Sequence, residues 1–138
     1  MIVDANVVLR AFFPDEEQAA AQALVRDHVA GRLRLAAPNL LLYEVTNAIV
    51  QAVRRGRVSA EDGEAILTSI EGLSIELAAV PWQPMLELAR RFERSAYDAA
   101  YLALAEARGE PLVTGDLRLY RAVSEQLDWV RWVGEAPE

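Results

Sequence analysis

The segment SAYDAAYLALAEARGEPLVTGD, residues 95–116, contains the clearest indication of how this sequence folds. Residues 98–109 have an alanine-rich helical pattern, and residues 111–115 form a short apolar run that ends directly before Asp116. A helix that leads into a buried strand predicts a parallel sheet with helical crossovers. A carboxylate at such a turn usually caps a helix. The positions of Asp98 and Asp116 raise the question whether these residues also have a chemical function.

The rest of the chain repeats this alternation of apolar runs and helical patterns. The predicted strands cover residues 1–5, 32–38, 74–81 and 111–115. The predicted helices cover residues 6–13, 16–31, 39–55, 60–72, 84–94, 98–109 and 116–126, and an apolar segment follows at 128–133. Asp15 is predicted to cap the second helix with Gln18 in the capping-box position, and Ser59 to open the helix at 60–72. The sequence thus predicts a three-layer α/β/α fold with a mainly parallel central sheet.

Length and composition indicate one compact domain that spans residues 1–138. The 138 residues are 53% hydrophobic and 25% charged, which excludes disorder caused by low hydropathy. The longest apolar stretch, residues 35–53, is interrupted by polar residues and does not fit a membrane span. The N-terminus lacks the pattern of a signal peptide. We therefore expect a cytoplasmic protein with no membrane partner.

Missing residue types exclude several chemistries. The chain has no cysteine and no lysine, so it cannot use a thiolate zinc site, a cysteine nucleophile or a P-loop lysine. Its single histidine, His28, lies late in a predicted helix, where a cation suits the helix dipole. No GxSxG motif accompanies it, so a serine triad is not indicated. If the protein is an enzyme, carboxylates must carry its chemistry.

Two acids follow predicted strands. Asp4 ends the first strand and Asp116 ends the strand at 111–115, and open parallel sheets bind their ligands at the carboxyl ends of strands. Asn6 either caps the first helix or supports a metal site there. Glu44 and Asn47 are three residues apart and share one face of an otherwise apolar helix, where a carboxylate needs a partner.

Each acid alone has a structural explanation as a cap or, for Glu44, as part of a solvated helix face, but convergence of the four would have an electrostatic consequence. Carboxylates about 6 Å apart repel by about 3 kcal/mol per pair at an effective dielectric constant near 20. Several such pairs would strain a small domain unless protons or cations intervened. A hard divalent cation such as Mg²⁺ or Mn²⁺ takes oxygen ligands and relieves that repulsion.

Four motifs in order carry a resemblance to a known family. VDANVVL, LLLYEVTNAI, SAYDAAYLALAE and PLVTGDLRL, which lie within residues 1–123, resemble the PIN-domain family, and in particular the VapC-type toxins of toxin–antitoxin modules. Any one motif alone would be weak. The resemblance implies a three-layer α/β/α fold and nuclease activity that depends on Mg²⁺ or Mn²⁺ and acts mostly on RNA.

The resemblance also assigns the site. It implies an acidic quartet that binds the metal and carries catalysis: Asp4, Glu44, Asp98 and Asp116. The residues expected to support this site are Asn6, Asn47, Ser95 and Thr114. Gly115 departs from the alanine that is commoner in the family, and we expect it to loosen the backbone beside Asp116. Tyr101 and Leu102 are expected in the core.

The implied activity is that of a metal-dependent endoribonuclease, a hydrolase in which a metal-activated water attacks a phosphodiester. The alternative is a catalytically silent PIN-like module that holds a metal or a partner. A Mg²⁺-dependent phosphatase is the weakest candidate, because that class requires a second acid at the position of Asn6 and a downstream lysine, and this chain has neither.

The expected partners are RNA, a cognate antitoxin protein and a second copy of the chain. The net charge of −7 opposes unspecific RNA binding, so local cations must contact the substrate, and Arg118 and Arg121 are the best placed because they follow Asp116. The resemblance implies a homodimer. The surface expected to form it includes the helix after Ser59 and the apolar positions Leu40, Leu41, Leu42 and Val45.

Overall fold

The computed structural model describes residues 1–16 and 18–135. The strands are β1 Ile2–Val3, β2 Ala36–Pro38, β3 Glu76–Ala78, β4 Leu112–Thr114 and β5 Val130–Trp132. The helices are α1 Ala5–Phe12, α2 Ala19–Val29, α3 Leu40–Arg54, α4 Ala60–Gly72, α5 Trp82–Phe92, α6 Ala96–Arg108 and α7 Leu117–Val123, and a short 3-10 turn spans Val133–Glu135.

The five strands form one parallel sheet in the order β3-β2-β1-β4-β5. β1 lies in the centre, with Ile2 paired to Ala36 of β2 on one side and to Leu112 of β4 on the other. The chain leaves β1 toward β2 and later returns to its other side through β4, so the strand order reverses at β1. The predicted three-layer α/β/α fold with a parallel sheet is confirmed.

The start of the second helix was predicted wrongly. α2 begins at Ala19 rather than at residue 16, and its first flanking residue, Gln18, makes no side-chain cap. Asp15 does not cap this helix, because its carboxylate accepts two hydrogen bonds from Arg57, both at 2.9 Å. The predicted helix also included residue 17, which lies outside the described residues.

The start of α6 also differs from the prediction in a way that concerns the site. The helix begins at Ala96, and Ser95 is its cap: the Ser95 hydroxyl accepts a hydrogen bond from the Asp98 backbone N–H at 3.1 Å. Asp98 therefore lies inside the first turn and is not the cap. Because Ser95 caps the helix, the Asp98 carboxylate is available for other contacts.

Helix α6 is the central helix of the core. Its residues from Ala99 to Ala105 are all buried, and the fully buried side chains include Tyr101 and Leu102, as predicted. Four alanines within this run have small side chains, so the helix can lie close to the strands beneath it. This close packing holds the first turn of α6 against the end of β1.

His28 has a structural role, but not the one predicted from its position in the helix. Its Nδ1 accepts a hydrogen bond from the Leu35 backbone N–H at 3.0 Å, and its Nε2 contacts the Leu73 carbonyl at 2.7 Å. An accepting Nδ1 carries no proton, so the ring is a neutral donor at Nε2 that joins α2 to the ends of β2 and α4.

No helix within residues 1–16 and 18–135 is both long and apolar enough to cross a bilayer.

Candidate metal centre

The fold brings four acidic side chains to the carboxyl edge of the sheet. Asp4 follows β1 and Asp116 follows the neighbouring strand β4, while Glu44 comes from α3 and Asp98 from the first turn of α6. The charges of Glu44, Asp98 and Asp116 all act on Asp4 and raise its pKa, so the four side chains form one electrostatic cluster. The acids come from four elements that only the folded sheet brings together.

Thr114 joins the two acids that follow strands. Its hydroxyl donates a hydrogen bond to Oδ2 of Asp4 at 2.8 Å and accepts one from the Asp116 backbone N–H at 3.0 Å. Thr114 is fully buried and Asp4 is only 7% exposed, so water does not compete for these bonds. The threonine thus sets the position of both residues.

Asn6 fastens the loop between these residues from the side of α1. Its Oδ1 accepts a hydrogen bond from the Gly115 backbone N–H at 2.8 Å. A side chain at Gly115 would place its first carbon 2.8 Å from Nη1 of Arg10, and the φ of Gly115 is not positive. The absence of a side chain at Gly115 thus gives Arg10 room, and the expected loosening of the backbone stays a prediction.

Glu44 receives a hydrogen bond that the sequence did not predict. The hydroxyl of Tyr101 donates to Oε1 of Glu44 at 2.6 Å, although the ring itself is buried in the core. Burial raises the pKa of the Tyr101 hydroxyl, and the charges of Asp4 and Glu44 raise it further, so this group remains a donor. The sequence contained one indication of this contact, because Tyr101 lies three residues after Asp98, on the same face of α6.

Asp98 and Asp116 also carry local contacts. Arg94 lies four residues before Asp98, in the connection between α5 and α6, with its Nη1 3.9 Å from Oδ2 of the carboxylate. Oδ1 of Asp116 accepts hydrogen bonds from the backbone N–H groups of Arg118 and Leu119, at 2.9 and 3.3 Å. Asp116 therefore caps α7 with one oxygen, which leaves its other oxygen for a second role.

Burial and mutual repulsion make this cluster costly to ionise. Desolvation raises the pKa of Asp4 to about 7; Glu44, Asp98 and Asp116 add to the rise, and the Thr114 hydroxyl opposes it. The pKa of Glu44 is raised by burial and by Asp98, against the Tyr101 hydrogen bond. Burial and Asp116 raise the pKa of Asp98, while Arg94 lowers it. A cation at the cluster would reverse this cost.

The donor set fits a hard divalent cation. Each of the four carboxylates keeps at least one oxygen outside the hydrogen bonds described above, and all four donors are oxygens. No three acidic or histidine side chains within residues 1–16 and 18–135 are grouped closely enough to ligate one ion directly. Mg²⁺ keeps several waters and binds through one or two carboxylates, so this spacing suits an ion whose remaining contacts pass through water.

Three predicted residues lie at the margin of the cluster. Asn47 is exposed on α3, and its side chain makes no hydrogen bond with the described residues. Arg118 and Arg121 are exposed on α7, directly after Asp116. The structure thus brings Asn6, Ser95 and Thr114 into contact with the acidic cluster and its backbone, but not Asn47. The predictions for the two arginines remain predictions.

Comparison with known proteins agrees with this architecture. The model of the PIN domain matches residues 1–124. VapC ribonuclease Mb0985 of Mycobacterium bovis is 35% identical over 124 residues, which cover 86% of this chain and 87% of that protein. Ribonuclease VapC3 of Pyrobaculum aerophilum is 28% identical over 123 residues, covering 86% and 91%.

A solved structure shares the fold. The crystal structure of PAE2754 from Pyrobaculum aerophilum superposes with a TM-score of 0.74 at 25% identity, covering 96% of this chain and 83% of the other. The resemblance drawn from four motifs is thereby confirmed over most of the sequence. The chain belongs to the PIN domain family.

Proposed function

We propose that the protein is a VapC-type toxin: a metal-dependent endoribonuclease that hydrolyses RNA phosphodiester bonds in the cytoplasm, built as one domain over residues 1–138. The observation that carries this proposal is the acidic cluster around the buried Asp4, whose repulsion calls for a cation. The reaction class is supported by relatives that are named VapC ribonucleases, one of them 35% identical over 86% of this chain.

Each residue of the cluster then has a definable task. Asp4, Glu44, Asp98 and Asp116 would hold Mg²⁺ or Mn²⁺, which supplies an acidified water and neutralises charge on the phosphodiester. Thr114 fixes the carboxylate of Asp4 through the 2.8 Å hydrogen bond, so that carboxylate does not reorganise during the reaction. No described side chain other than a carboxylate offers a base at this edge. Both ring nitrogens of His28 are already hydrogen-bonded, to the Leu35 backbone N–H and the Leu73 carbonyl.

A catalytically silent module is the second candidate, because an intact acidic cluster also binds a metal without turnover. The two functions differ in one measurement. We expect purified protein to cleave single-stranded RNA in Mg²⁺ or Mn²⁺, and chelation to stop cleavage, because the acids alone repel the phosphate backbone. Cleavage that continues in excess chelator would contradict a metal-dependent nuclease, and metal binding without cleavage would establish the silent module.

The proposed partners are an RNA substrate, an antitoxin protein and a second copy of the chain. Arg118 and Arg121 are proposed RNA contacts, because both are exposed and follow Asp116 on α7. An antitoxin is proposed from the names of the relatives, which belong to VapC proteins.

The proposed dimer surface differs from the one expected from the sequence. Leu41 and Val45 are 4% and 2% exposed and belong to the core, so they cannot form an interface. Five of the large apolar side chains that face outward lie on α3 and α5 and at the start of α6: Leu42, Tyr43, Trp82, Leu86 and Tyr97. We expect light scattering at micromolar concentration to give the mass of a dimer, and Trp82→Ser with Leu86→Ser to give a monomer. A monomeric mass for the unmodified protein would contradict the dimer.

A further inference from the structure

Arg10 lies against Gly115, the residue between Thr114 and Asp116, and neither the motifs nor the proposed chemistry assign it a role. It is in the last turn of α1, four residues after Asn6, so the two side chains share one face of the helix. Asn6 is bonded to the Gly115 backbone. The same helix face therefore carries the guanidinium of Arg10 to the loop that joins Thr114 to Asp116.

The guanidinium is held in place from three directions. It lies against Gly115, where an added Cβ would be 2.8 Å from Nη1 and 3.0 Å from Cζ. Its Cζ is 5.9 Å from the centroid of the Trp132 ring, a cation–π distance, and Trp132 pairs with Thr114 across β4 and β5. Nη1 also donates a long hydrogen bond to Gln18 at 3.4 Å. A long side chain is thus ordered at a defined point beside the site.

The charge of Arg10 is not committed to a described carboxylate. Within residues 1–16 and 18–135 it forms no ion pair. It lines an open cleft of about 380 Å³ together with Asp15, Glu16 and Gln18. Both of those acids accept hydrogen bonds from Arg57 at 2.9 and 3.0 Å, so their direct ion pairs are with Arg57 rather than with Arg10. Arg10 is therefore an ordered cation that faces solvent at the rim of an acidic site.

From this geometry we propose that Arg10 is a substrate-positioning residue that binds a non-reacting phosphate of the RNA, next to the phosphodiester held at the acidic cluster. A guanidinium presents paired donors that match phosphate oxygens. The acidic cluster by itself repels the RNA backbone, so a fixed cation at its rim gives the strand a defined register. This inference rests on the proposed ribonuclease function and adds to it the residue that places the strand.

Gly115 helps to position the Arg10 guanidinium, because it has no side chain. A methyl group at this position would overlap Nη1 of Arg10 and would lie 3.1 Å from Oδ1 of Asn6. The guanidinium is the flexible end of its side chain and would move first, away from the loop. Gly115→Ala therefore displaces the cation without changing the charge of the protein, which makes it the matched partner of a charge-removing substitution.

RNA binding can be measured separately from cleavage. The probe is a short, fluorescein-labelled single-stranded oligoribonucleotide of mixed sequence, followed by anisotropy in Mg²⁺ over a range of salt concentrations. The parent protein is the Asp98→Asn variant, in which we expect cleavage to be too slow to interfere. Arg10→Gln, Arg10→Lys and Gly115→Ala are added to that parent. Arg108→Gln is the matched control, because Arg108 ends α6 at the opposite edge of the sheet and pairs with Glu76.

Loss of one phosphate contact has a signature that a merely structural role would not produce. Arg10→Gln is expected to weaken binding about tenfold at low salt and to reduce the slope of log affinity against log salt by about 0.7. Arg10→Lys keeps the charge and should keep the slope, with an intermediate affinity. Gly115→Ala should lower both affinity and slope, and Arg108→Gln neither. In the cleavage-competent protein, Arg10→Gln should raise KM by a larger factor than it lowers kcat.

Each outcome separates this inference from the proposed function. If the parent binds RNA and Arg10→Gln leaves both affinity and slope unchanged, Arg10 does not contact the backbone and the inference is wrong. If Arg10→Gln lowers affinity but Arg108→Gln lowers it equally, the effect is one of net charge and the inference is again wrong. If the parent does not bind RNA and the unmodified protein does not cleave it, the proposed function itself fails. Should Arg10→Gln not fold, Gly115→Ala provides the test, because it displaces the cation and should lower both affinity and slope, and Arg10→Lys is its charge-conserving control.

Discussion

Replacing any one of the four clustered acids by its amide is expected to lower RNA cleavage by two or more orders of magnitude. The substitutions are Asp4→Asn, Glu44→Gln, Asp98→Asn and Asp116→Asn, and each changes the charge of the cluster with little change in shape. The losses should not add in double variants, because the four carboxylates serve one charge centre and the first substitution already disables it. The assay is the initial rate of cleavage of a labelled single-stranded RNA in Mn²⁺.

The matched controls are the same acid-to-amide substitutions made at acids outside the cluster. Asp62 and Glu64 are exposed acids of α4, and neither charge acts on Asp4, Glu44 or Asp98. Asp62→Asn and Glu64→Gln should cleave RNA as the unmodified protein does. A cleavage rate that falls equally in the control variants, or that survives in Asp98→Asn, would contradict a catalytic role for the cluster.

The metal-free protein is expected to lose stability as the pH rises, and Asp4→Asn to remove most of that loss. The pKa of Asp4 is raised from 3.8 to about 7, chiefly by burial. Between these values the folded state holds a proton that the unfolded chain has released, so the stabilising contribution is present at low pH and disappears as the pH rises through about 7. The expected gain of Asp4→Asn at pH 8 is about 2 to 4 kcal/mol, and it shrinks toward pH 5.

This stability difference is measured by urea unfolding in chelator at pH 5 and pH 8, for the unmodified protein and for Asp4→Asn. The asparagine can still accept the hydrogen bond that Thr114 donates to Asp4, so packing is preserved. Asp62→Asn provides the control and should follow the unmodified protein. Parallel pH profiles for the unmodified protein and Asp4→Asn would show that the Asp4 carboxyl does not titrate within a buried acidic cluster.

The sequence predicted the layers of the fold because apolar runs and helical periods alternate throughout, and it predicted the edge at which Asp4 and Asp116 lie because both follow strands. Ends of elements were less predictable. The 16–31 helix was expected to begin with Asp15 as its cap, yet Arg57, distant in sequence, binds that carboxylate. A tertiary ion pair of this kind leaves no local signal, so the capping pattern gave the wrong helix start.

Contacts within the site were predicted only where a local spacing implied them. Ser95 stands three residues before Asp98, the spacing of a cap, and it does cap that turn. Tyr101 was expected in the core and is buried, but its hydroxyl reaches Glu44 on another helix. The position of Arg10 beside Gly115 depends on how α1 packs against the end of β4. Pairs between elements of this kind depend on the three-dimensional packing, which short-range patterns do not contain.

Asp4, Glu44, Asp98 and Asp116 are proposed to share one divalent cation site, and a shared site of this kind should show itself as stabilisation by metal. Melting temperatures of the unmodified protein and of Asp98→Asn are compared in chelator and in Mg²⁺ at pH 7. In chelator, Asp98→Asn should melt at or above the unmodified protein, because one repelling charge is gone. Added Mg²⁺ should raise the melting temperature of the unmodified protein clearly more than that of the variant, because the ion stabilises only through the site that it binds. Equal melting temperatures of the two proteins under both conditions would contradict a shared site.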